Sequence, residues 1–346
     1  MTTKIKAGII GATGYAGTEL VRILSTHPYV EIVSVSSVSF GGRDISEIYP
    51  GFRAGMRMIL DENPEQMIAR CDVIFASLPH GLSQEIAGKA IAAGVCFIDL
   101  GADFRLEDES EYKEWYGCDF LDAELQSSAV YGLCEITRKE IAGTKLIANP
   151  GCYPTSVALG LYPALKNGLI STEGIIVDSK SGVSGAGRGL SQNTHFPDCN
   201  EAFAAYKAGS HRHRPEIEQT LSKLAGEKLV VTFTPHLLPV NRGILSTIYC
   251  QRKSSFAEFR RSYEEAYADE PFVVVLADGE YANIKNVRMT NCCQISLHED
   301  EHTNTFIICS AIDNMVKGAA GQAIQNMNLL FGFEETVGLP LIAPAI

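Results

Sequence analysis

One cysteine stands where the sequence changes from turn residues to a helical pattern. Cys152 follows Asn149-Pro150-Gly151 and precedes Tyr153-Pro154, and the helical pattern continues from Ser156 to Leu165. Proline is tolerated in the first turn of a helix. The amides there stabilise a thiolate, lower a cysteine pKa from its usual value of about 8.5 and can receive a developing oxyanion. We therefore predict that Cys152 is a catalytic nucleophile, whereas most of the other cysteines are small buried packing residues.

Two histidines are candidates for the proton transfers that a nucleophilic cysteine needs near neutral pH. His211 and His213 lie in a predicted loop, ahead of a helix that Pro215 would start and that has Glu216 in its first turn. The H-x-H pattern with a nearby Glu can also coordinate zinc. No further ligand motif accompanies it, so we predict no metal. The spacing alone leaves the acid/base role open between His211 and His213.

A glycine-rich turn joins the first predicted strand, Lys4 to Ile10, to the first predicted helix, Thr18 to Ser25. The glycines of a G-x-x-G-x-x-G pattern permit a tight turn and bring a pyrophosphate close to the amides of a helix N-terminus. We predict that this turn binds a dinucleotide cofactor through Gly11, Ala12, Thr13, Gly14, Tyr15, Ala16 and Gly17.

The end of the second predicted strand, Ile32 to Ser36, indicates which cofactor binds. An NAD site usually places Asp or Glu there, about 20 residues beyond the glycines, on the ribose 2′-hydroxyl. This sequence has hydroxyl groups and an arginine at that point and no opposing carboxylate, which suits a 2′-phosphate. We predict NADP(H), with contacts from Ser36, Ser37, Ser39 and Arg43.

Two arginines and a second glycine-rich loop are further binding candidates. Arg105 follows a predicted strand end, where ligands collect in open α/β sheets, and could bind a phosphate or carboxylate through two N–H groups or pair with Asp103. Arg212, between the two histidines, is the other candidate for the substrate. The loop from Ser181 to Arg188 could hold the nicotinamide end of the cofactor or be a flexible turn; its candidate contacts are Ser181, Gly182, Ser184 and Gly185.

The pattern of elements predicts two domains. Strands alternate with helices as far as the strand Leu146 to Ala148, which is typical of parallel βαβ units; after it, strands dominate. We predict an α/β protein with a Rossmann-type doubly wound domain over residues 1–148 and an α+β domain with a largely antiparallel sheet over 149–313. The segment 314–346 carries a helix, predicted from Asp313 to Leu330, that is expected to pack back on the first domain.

Composition excludes several classes of partner. Lys and Arg number 29 against 41 Asp and Glu, and the formal net charge of −12 disfavours binding to nucleic acid or to an anionic membrane. No apolar stretch approaches the roughly 18 residues of a membrane span. The 10 cysteines include no C-x-x-C pair, which favours a reducing, cytoplasmic location.

Taken together, the motifs resemble the N-acetyl-γ-glutamyl-phosphate reductase family, the NADPH enzymes of arginine biosynthesis, over essentially the whole chain. The family is similar to aspartate-semialdehyde dehydrogenase and, more distantly, to glyceraldehyde-3-phosphate dehydrogenase. The resemblance rests on Gly11–Gly17, Ala102–Arg105, Asn149–Thr155, Ser181–Arg188, His211–Ile217, Pro235–Pro239 with Arg242-Gly243, and Asp313–Gly321.

The resemblance implies a mechanism and roles for particular residues. The thiolate of Cys152 would attack an acyl phosphate, phosphate would leave, and hydride from NADPH would reduce the thioester to the aldehyde. A histidine of the 211–213 segment would be the acid/base, Glu216 would orient it or the substrate, and Asn314 would contact the nicotinamide. The resemblance also implies a homodimer or homotetramer. One departure from the aspartate-semialdehyde relatives, which carry their catalytic histidine after a Pro-Val pair, is Asn241-Arg242-Gly243 at that point.

Two rival functions remain open at this stage. The same chemistry could act on another acyl phosphate, such as an aminoadipyl or aspartyl phosphate. A regulator that senses nucleotides without catalysis could also be built on the same fold, because a fold alone does not define a function.

Overall fold

The computed structural model describes residues 4–345, which form two compact units. Within that range, the first unit comprises residues 4–150 together with Ala319–Leu339. The second comprises Gly151–Gly318 together with residues 340–345.

The first unit is built on a six-stranded sheet in which every neighbouring pair is parallel. The strands are β1 (Ile5–Ile10), β2 (Val30–Ser36), β3 (Val73–Ala76), β4 (Cys96–Asp99), β5 (Val130–Tyr131) and β6 (Leu146–Ala148), in the spatial order β2-β1-β3-β4-β6-β5. The helices between them are α1 (Tyr15–Leu24), α2 (Ile45–Ile48), α3 (Gln84–Ala92), α4 (Glu109–Tyr116), α5 (Ala123–Ser128) and α6 (Cys134–Ile141). The predicted doubly wound domain is confirmed.

The burial of these strands agrees with their place in a parallel sheet. The whole of β3 is buried, and so is the second half of β1, as expected for strands covered by helices on both faces. Helix α1 begins at Tyr15, earlier than the predicted Thr18, because Gly14 has an extended backbone and ends the glycine turn directly at the helix.

The second unit contains a mixed, mostly antiparallel sheet of seven strands. The strands are β7 (Ile175–Gly182), β8 (Ala204–Ala205), β9 (Val231–Leu238), β10 (Ile244–Gln251), β11 (Val273–Val275), β12 (Cys293–Asp300) and β13 (Thr305–Ile312), in the order β11-β12-β13-β10-β7-β9-β8. The helices are α7 (Cys152–Lys166), α8 (Phe196–Cys199), α9 (His213–Ala225) and α10 (Phe256–Ala266). The predicted α+β domain is confirmed, although β7–β9 and β11–β12 are parallel pairs.

One face of this sheet forms the core of the second unit. Alternate residues of β10, among them Ile244 and Ile248, are buried, and α7 packs on β10 and β13. On the opposite face, Asp178 forms an ion pair with Lys180, and its Oδ1 lies 3.0 Å from Nδ1 of His236; all three side chains are partly exposed. Residues 4–345 include no helix with the length and apolar character to span a membrane.

The C-terminal helix differs from its prediction. A continuous helix from Asp313 to Leu330 was expected, but α11 covers only Gly321–Leu330, and a π-helical turn at Val316–Ala320 precedes it. The carboxylate of Asp313 accepts hydrogen bonds from the amides of Met315 and Val316. The Asp313 side chain therefore caps a turn directly after β13. The sequence pattern predicts helix at these residues because it does not distinguish such a side-chain cap from the start of a helix.

Candidate active site

The glycine turn of the first unit has the geometry that a dinucleotide requires. Gly11 has φ +77°, and a Cβ atom there would lie 2.3 Å from the carbonyl oxygen of Ser77. A Cβ atom on Gly17 would lie 2.2 Å from the carbonyl oxygen of Gly11. No side chain caps the first turn of α1, so its amides face the position where a pyrophosphate binds in such turns.

The serines at the end of β2 hold this turn in place. The carbonyl oxygen of Ser36 accepts the Ala12 amide at 2.9 Å, and the hydroxyls of Thr13 and Ser37 are 2.7 Å apart. Ser36 and Ser37 are buried, whereas Ser39 is exposed. Ser39 is thus the predicted serine that a bound 2′-phosphate could reach from solvent.

Two carboxylates lie at the loop that contains Arg43, one from the local sequence and one from a distant segment. The Nε atom of Arg43 lies 3.0 Å from Oε2 of Glu47, one helical turn away, and both side chains are about half exposed. The side chain of Glu62 packs on Gly41, where an added Cβ would lie 2.5 Å from Glu62 Cγ. Glu47 thus pairs with Arg43, and a separate segment brings Glu62 to the same loop; the selection of NADP(H) by this loop stays a prediction.

Arg105 is buried at the end of β4, with only 8% of its surface exposed. Its Nε donates to the carbonyl oxygen of Asn149 at 2.9 Å and its Nη2 to that of Leu100 at 2.8 Å. The Asp103 carboxylate accepts hydrogen bonds from the amides of Gly81 and Ser83. The two hydrogen bonds of Arg105 to backbone carbonyl oxygens help to hold the segment after β4 in place. Its binding of substrate stays a prediction.

Cys152 is the first residue of α7 in the second unit, as its motif predicts. Glu216, fully buried in the first turn of α9, accepts the amide of Gly151 through Oε1 at 2.8 Å. On another side, a Cβ atom on Gly318 would lie 2.8 Å from Cys152 Cβ. Gly318 has no left-handed backbone, so the glycine is required there for space against the cysteine.

The two predicted histidines are in ring contact beside the residue that follows Cys152. Their ring centroids are 4.9 Å apart, and the Tyr153 ring lies 5.4 Å from His211 and 5.9 Å from His213. Nδ1 of His211 accepts the backbone amide of His213 at 3.1 Å. Neutral His211 therefore carries its proton on Nε2.

The surroundings of His211 keep it neutral. Its ring packs edge-on against Tyr153, Tyr206 and Phe233. This burial first, and then the proximity of His213, lower the pKa of His211 to about 3. At neutral pH, His211 is a hydrogen-bond donor at Nε2 that does not take up a proton.

The second glycine-rich loop of the chain, Ser181 to Arg188, belongs to the second unit and lies against Asn314. The side-chain amide of Asn314 donates to Ser184 Oγ at 3.0 Å, while its Oδ1 accepts the amide of Gly243 at 2.8 Å. A Cβ atom on Gly185 would lie 3.1 Å from Ser181 Oγ. Gly182 allows a similarly close approach to the backbone of residues 241 and 242. The candidate residues of this loop are thus brought together with Asn314.

Sequence reasoning missed one group of this site and left one residue unresolved. Tyr206 has its hydroxyl 3.0 Å from that of Tyr153, and nothing in its local sequence marks it apart from its nearness to His211. Arg212 is exposed, and its role stays a prediction. In the described part of the chain, no group of three or more His, Cys, Asp or Glu side chains could hold a metal ion.

Two family models together match most of the chain. The model described as "Semialdehyde dehydrogenase, NAD binding domain" matches residues 6–144, and the one described as "Semialdehyde dehydrogenase, dimerisation domain" matches residues 152–314. The fold and these matches define an enzyme of the semialdehyde dehydrogenase class.

Relatives narrow this class to one family. The N-acetyl-gamma-glutamyl-phosphate reductase of Clostridium beijerinckii is 57% identical over 343 residues, covering 99% of each chain. The one from Brachyspira hyodysenteriae is 53% identical over 352 residues, again covering 99% of each. The chain belongs to the N-acetyl-γ-glutamyl-phosphate reductase family, as its motifs predict.

Solved structures agree in fold. Aspartate semialdehyde dehydrogenase II from Vibrio cholerae, complexed with ASA, has a TM-score of 0.74 at 18% identity and covers 96% of this chain and 99% of its own. Aspartate semialdehyde dehydrogenase with NADP from Candida albicans has a TM-score of 0.67 at 16% identity, covering 95% and 99%. At these identities the likeness shows the fold alone.

Proposed function

We propose that this enzyme reduces N-acetyl-L-glutamyl 5-phosphate to N-acetyl-L-glutamate 5-semialdehyde, with release of phosphate, in arginine biosynthesis. The observation that carries the proposal is the position of Cys152 at the start of α7, between Gly151, which bonds Glu216, and Tyr153, whose ring contacts both histidines. The names of the full-length relatives support the choice of substrate.

We propose NADP(H) as the cofactor of the NAD(P)-binding domain. Gly11–Gly17 would hold the pyrophosphate, with Ser36 and Ser37 supporting that turn, and Ser39 and Arg43 would meet the 2′-phosphate. The loop of Ser181, Gly182, Ser184 and Gly185 with Asn314 would hold the nicotinamide end. When bound, NADPH supplies the hydride of the reaction.

The covalent steps take place on Cys152. Its thiolate attacks the acyl carbon, the carbon–oxygen bond to phosphate breaks, and phosphate leaves with the bonding electron pair. The resulting thioester accepts hydride at the same carbon. The thiohemiacetal then collapses to the aldehyde and returns the sulfur as thiolate. One proton is consumed overall, and it comes from the acid/base.

We assign the acid/base role to His213. His211 carries its proton on Nε2 and stays neutral, since its pKa is held near 3. His211 can therefore donate a hydrogen bond but cannot accept a proton at neutral pH. Neutral histidines act in this way in enzymes where the imidazole polarises a carbonyl group. His213, at the first position of α9 and in ring contact with Tyr153, is the remaining candidate.

The other candidate residues would position and bind the substrate. Glu216 holds the amide of Gly151 and so fixes the start of α7. Arg105 and Arg212 would bind the anionic ends of the substrate against the negative charge of the whole chain.

We further propose a homodimer or homotetramer in the cytoplasm, where thiols stay reduced. The match to a dimerisation domain supports association of identical chains. Residues 1–148 would then serve cofactor binding and residues 149–313 catalysis and association.

Turnover in the reverse direction tests the proposed function. Wild type and Cys152→Ser are assayed with phosphate, NADP⁺ and one of three semialdehydes: N-acetylglutamate, aminoadipate or aspartate semialdehyde. We expect NADPH formation with the first and near-complete loss in Cys152→Ser. A higher kcat/KM with another semialdehyde, or with NAD⁺, would contradict the substrate or cofactor assignment. An active Cys152→Ser variant would contradict the covalent mechanism.

A further inference from the structure

Lys317 is fully buried in the π turn that follows β13. Lysine is almost never fully buried unless its charge is compensated, because an ammonium group loses its hydration there. An apolar side chain of similar length would fill the same space at lower cost in free energy. Single π turns also occur frequently at functional sites. The ammonium group of Lys317 therefore implies a role other than packing.

The ammonium group of Lys317 has a defined place in the core of the second unit. Its Nζ atom lies over the ring of Phe272, 5.5 Å from the centroid, which is within the range of a cation–π interaction. Phe272 is fully buried, and its carbonyl oxygen accepts the amide of Cys293, the first residue of β12, at 2.7 Å. The side chain of Lys317 thus joins the π turn to a residue that the sheet itself holds in place.

The residues that precede Lys317 are held by hydrogen bonds. The carbonyl oxygen of Asp313 accepts the amide of Gly318 at 2.9 Å and so closes the turn. Asn314, a candidate contact of the nicotinamide, accepts the amide of Gly243 through Oδ1 at 2.8 Å. The segment is therefore fixed at its start by Asp313 and Asn314 and near its end by the side chain of Lys317.

Gly318, the residue after Lys317, forms the surface against which Cys152 packs. A Cβ atom at Gly318 would lie 2.8 Å from Cβ and 3.2 Å from Cα of Cys152. Because the two residues are this close, a shift of the turn moves the surface that the cysteine contacts. A misplacement of about 1 Å can cost roughly 10²-fold in rate. The position of the turn therefore bears directly on the position of the nucleophile.

We propose that Lys317 is a positioning residue for the covalent steps, whose ammonium group fixes the turn from which Gly318 supports Cys152. It acts on the cysteine through Gly318 rather than on the substrate. The charge has this effect because a cation over an aromatic ring has a preferred place, which an apolar side chain of the same size lacks. The inference rests on the proposed function, since it needs Cys152 as the nucleophile.

Lys317→Met tests the inference, because methionine keeps most of the length of the side chain and removes the ammonium group. We expect kcat to fall about 10²-fold with KM nearly unchanged, since the nucleophile moves and the groups that bind substrate do not. Alkylation of Cys152 by iodoacetamide should slow as well. Lys285→Met, at an exposed lysine of the same unit, is the matched control and should behave as wild type. An unchanged kcat, a loss carried by KM, or an unchanged alkylation rate in Lys317→Met would overturn the inference.

A double variant separates positioning through Gly318 from a general loss of stability. If Lys317 acts through Gly318, the effects of the two substitutions on kcat should not be independent. Lys317→Met combined with Gly318→Ala should then lose little more kcat than Gly318→Ala alone. Losses that multiply in the double variant would contradict this route.

Phe272→Leu keeps the inference open to refutation even if Lys317→Met fails to fold. It removes the ring beneath Nζ and leaves the lysine, so we expect a smaller loss of kcat, about tenfold. Phe259→Leu, at another fully buried phenylalanine of the same unit, which stacks on Phe306, controls for the loss of aromatic volume and should keep kcat. Equal kcat values for these two variants would overturn the inference.

The alkylation measurement distinguishes failure of the inference from failure of the proposed function, because it needs no substrate. A wild type that turns over none of the three semialdehydes would defeat the proposed function. Equal rates of Cys152 alkylation in wild type and Lys317→Met would defeat the inference alone.

Discussion

At the scale of single residues, His211 and His213 differ in their surroundings although only Arg212 separates them in the sequence. One is neutral with a fixed tautomer, because an amide occupies its Nδ1 and aromatic rings surround it. The other begins a helix. These different surroundings support the separate roles proposed for the two histidines, a hydrogen-bond donor and a proton carrier.

Replacement of each histidine by asparagine tests this division. His213→Asn should lose about 10²–10⁴-fold in kcat/KM, the usual contribution of a general acid/base. His211→Asn should lose less. The acidic limb of its pH–rate profile should persist, because a group with a pKa near 3 does not titrate between pH 5 and 8. The exposed His302 provides the control variant. The reverse order of losses would transfer the acid/base role to His211.

The absence of a side chain at Gly318 leaves the space that the Cys152 side chain occupies. Gly318→Ala would place a methyl group 2.8 Å from Cys152 Cβ, so the cysteine must move. A misplacement of about 1 Å can cost roughly 10²-fold in rate, and we expect such a fall in kcat with slower alkylation of Cys152. Gly189→Ala is the matched control, since nothing lies within 4 Å of its added Cβ. Equal kcat values for the two variants would contradict this view of Gly318.

At the scale of elements, the glycine turn and α1 are proposed to bind the cofactor together. The methyl group of Gly17→Ala would lie 2.2 Å from the carbonyl oxygen of Gly11. Overpacking costs about 1–3 kcal/mol, and 1.4 kcal/mol is about tenfold in an equilibrium constant. We therefore expect the NADPH dissociation constant, measured by fluorescence titration, to rise about tenfold or more. Gly14→Ala, with its nearest contact at 3.4 Å, should show a smaller rise; the opposite ranking would argue against this turn as the pyrophosphate site.

Elements with local signals are the ones that the sequence predicts well. The start of α7 at Cys152 follows from its Pro and Gly neighbours, and the parallel sheet follows from buried apolar strands that alternate with helices. The π turn at Val316–Ala320 was expected to be helix, because its residues favour helix and only the Asp313 cap ends the strand before it.

Features made by distant segments could not be predicted in this way. Glu62 reaches the Arg43 loop through the fold, and Tyr206 reaches Tyr153 across 53 residues. Neither residue belongs to a motif whose spacing fixes its position. These residues join the site only because the fold brings distant segments together, and no local sequence pattern signals that contact.

At the scale of the whole molecule, a buried carboxyl links stability to pH. Asp99 is fully buried, and one of its oxygens accepts hydrogen bonds from Ser83 Oγ and the Gly101 amide. Burial first, and then the proximity of Asp103, raise the pKa of Asp99 from 3.8 to about 6. The folded state therefore favours the protonated carboxyl. Its stabilising contribution is complete below pH 3.8 and is lost as pH rises through 6.

Asp99→Asn should remove this dependence. A difference of about two pKa units corresponds to about 3 kcal/mol, so the variant should gain up to about that much stability relative to wild type between pH 4 and 7. Urea unfolding at several pH values measures it. The exposed Asp269→Asn should leave the pH dependence as in wild type. A wild-type slope retained in Asp99→Asn would exclude Asp99 as its source.

The first unit is not a continuous piece of chain, since Ala319–Leu339 belongs to it. Side chains of α11 fill its interior: Gln322 and Asn326 both donate to the carbonyl oxygen of Gly132, and Asn328 bonds His27. During synthesis on a ribosome, residues 4–150 emerge long before these partners exist. The cofactor domain is therefore translated ahead of the second unit but completed after most of it, so the nascent chain must carry a Rossmann sheet that lacks one of its covering helices until Ala319–Leu339 has left the exit tunnel.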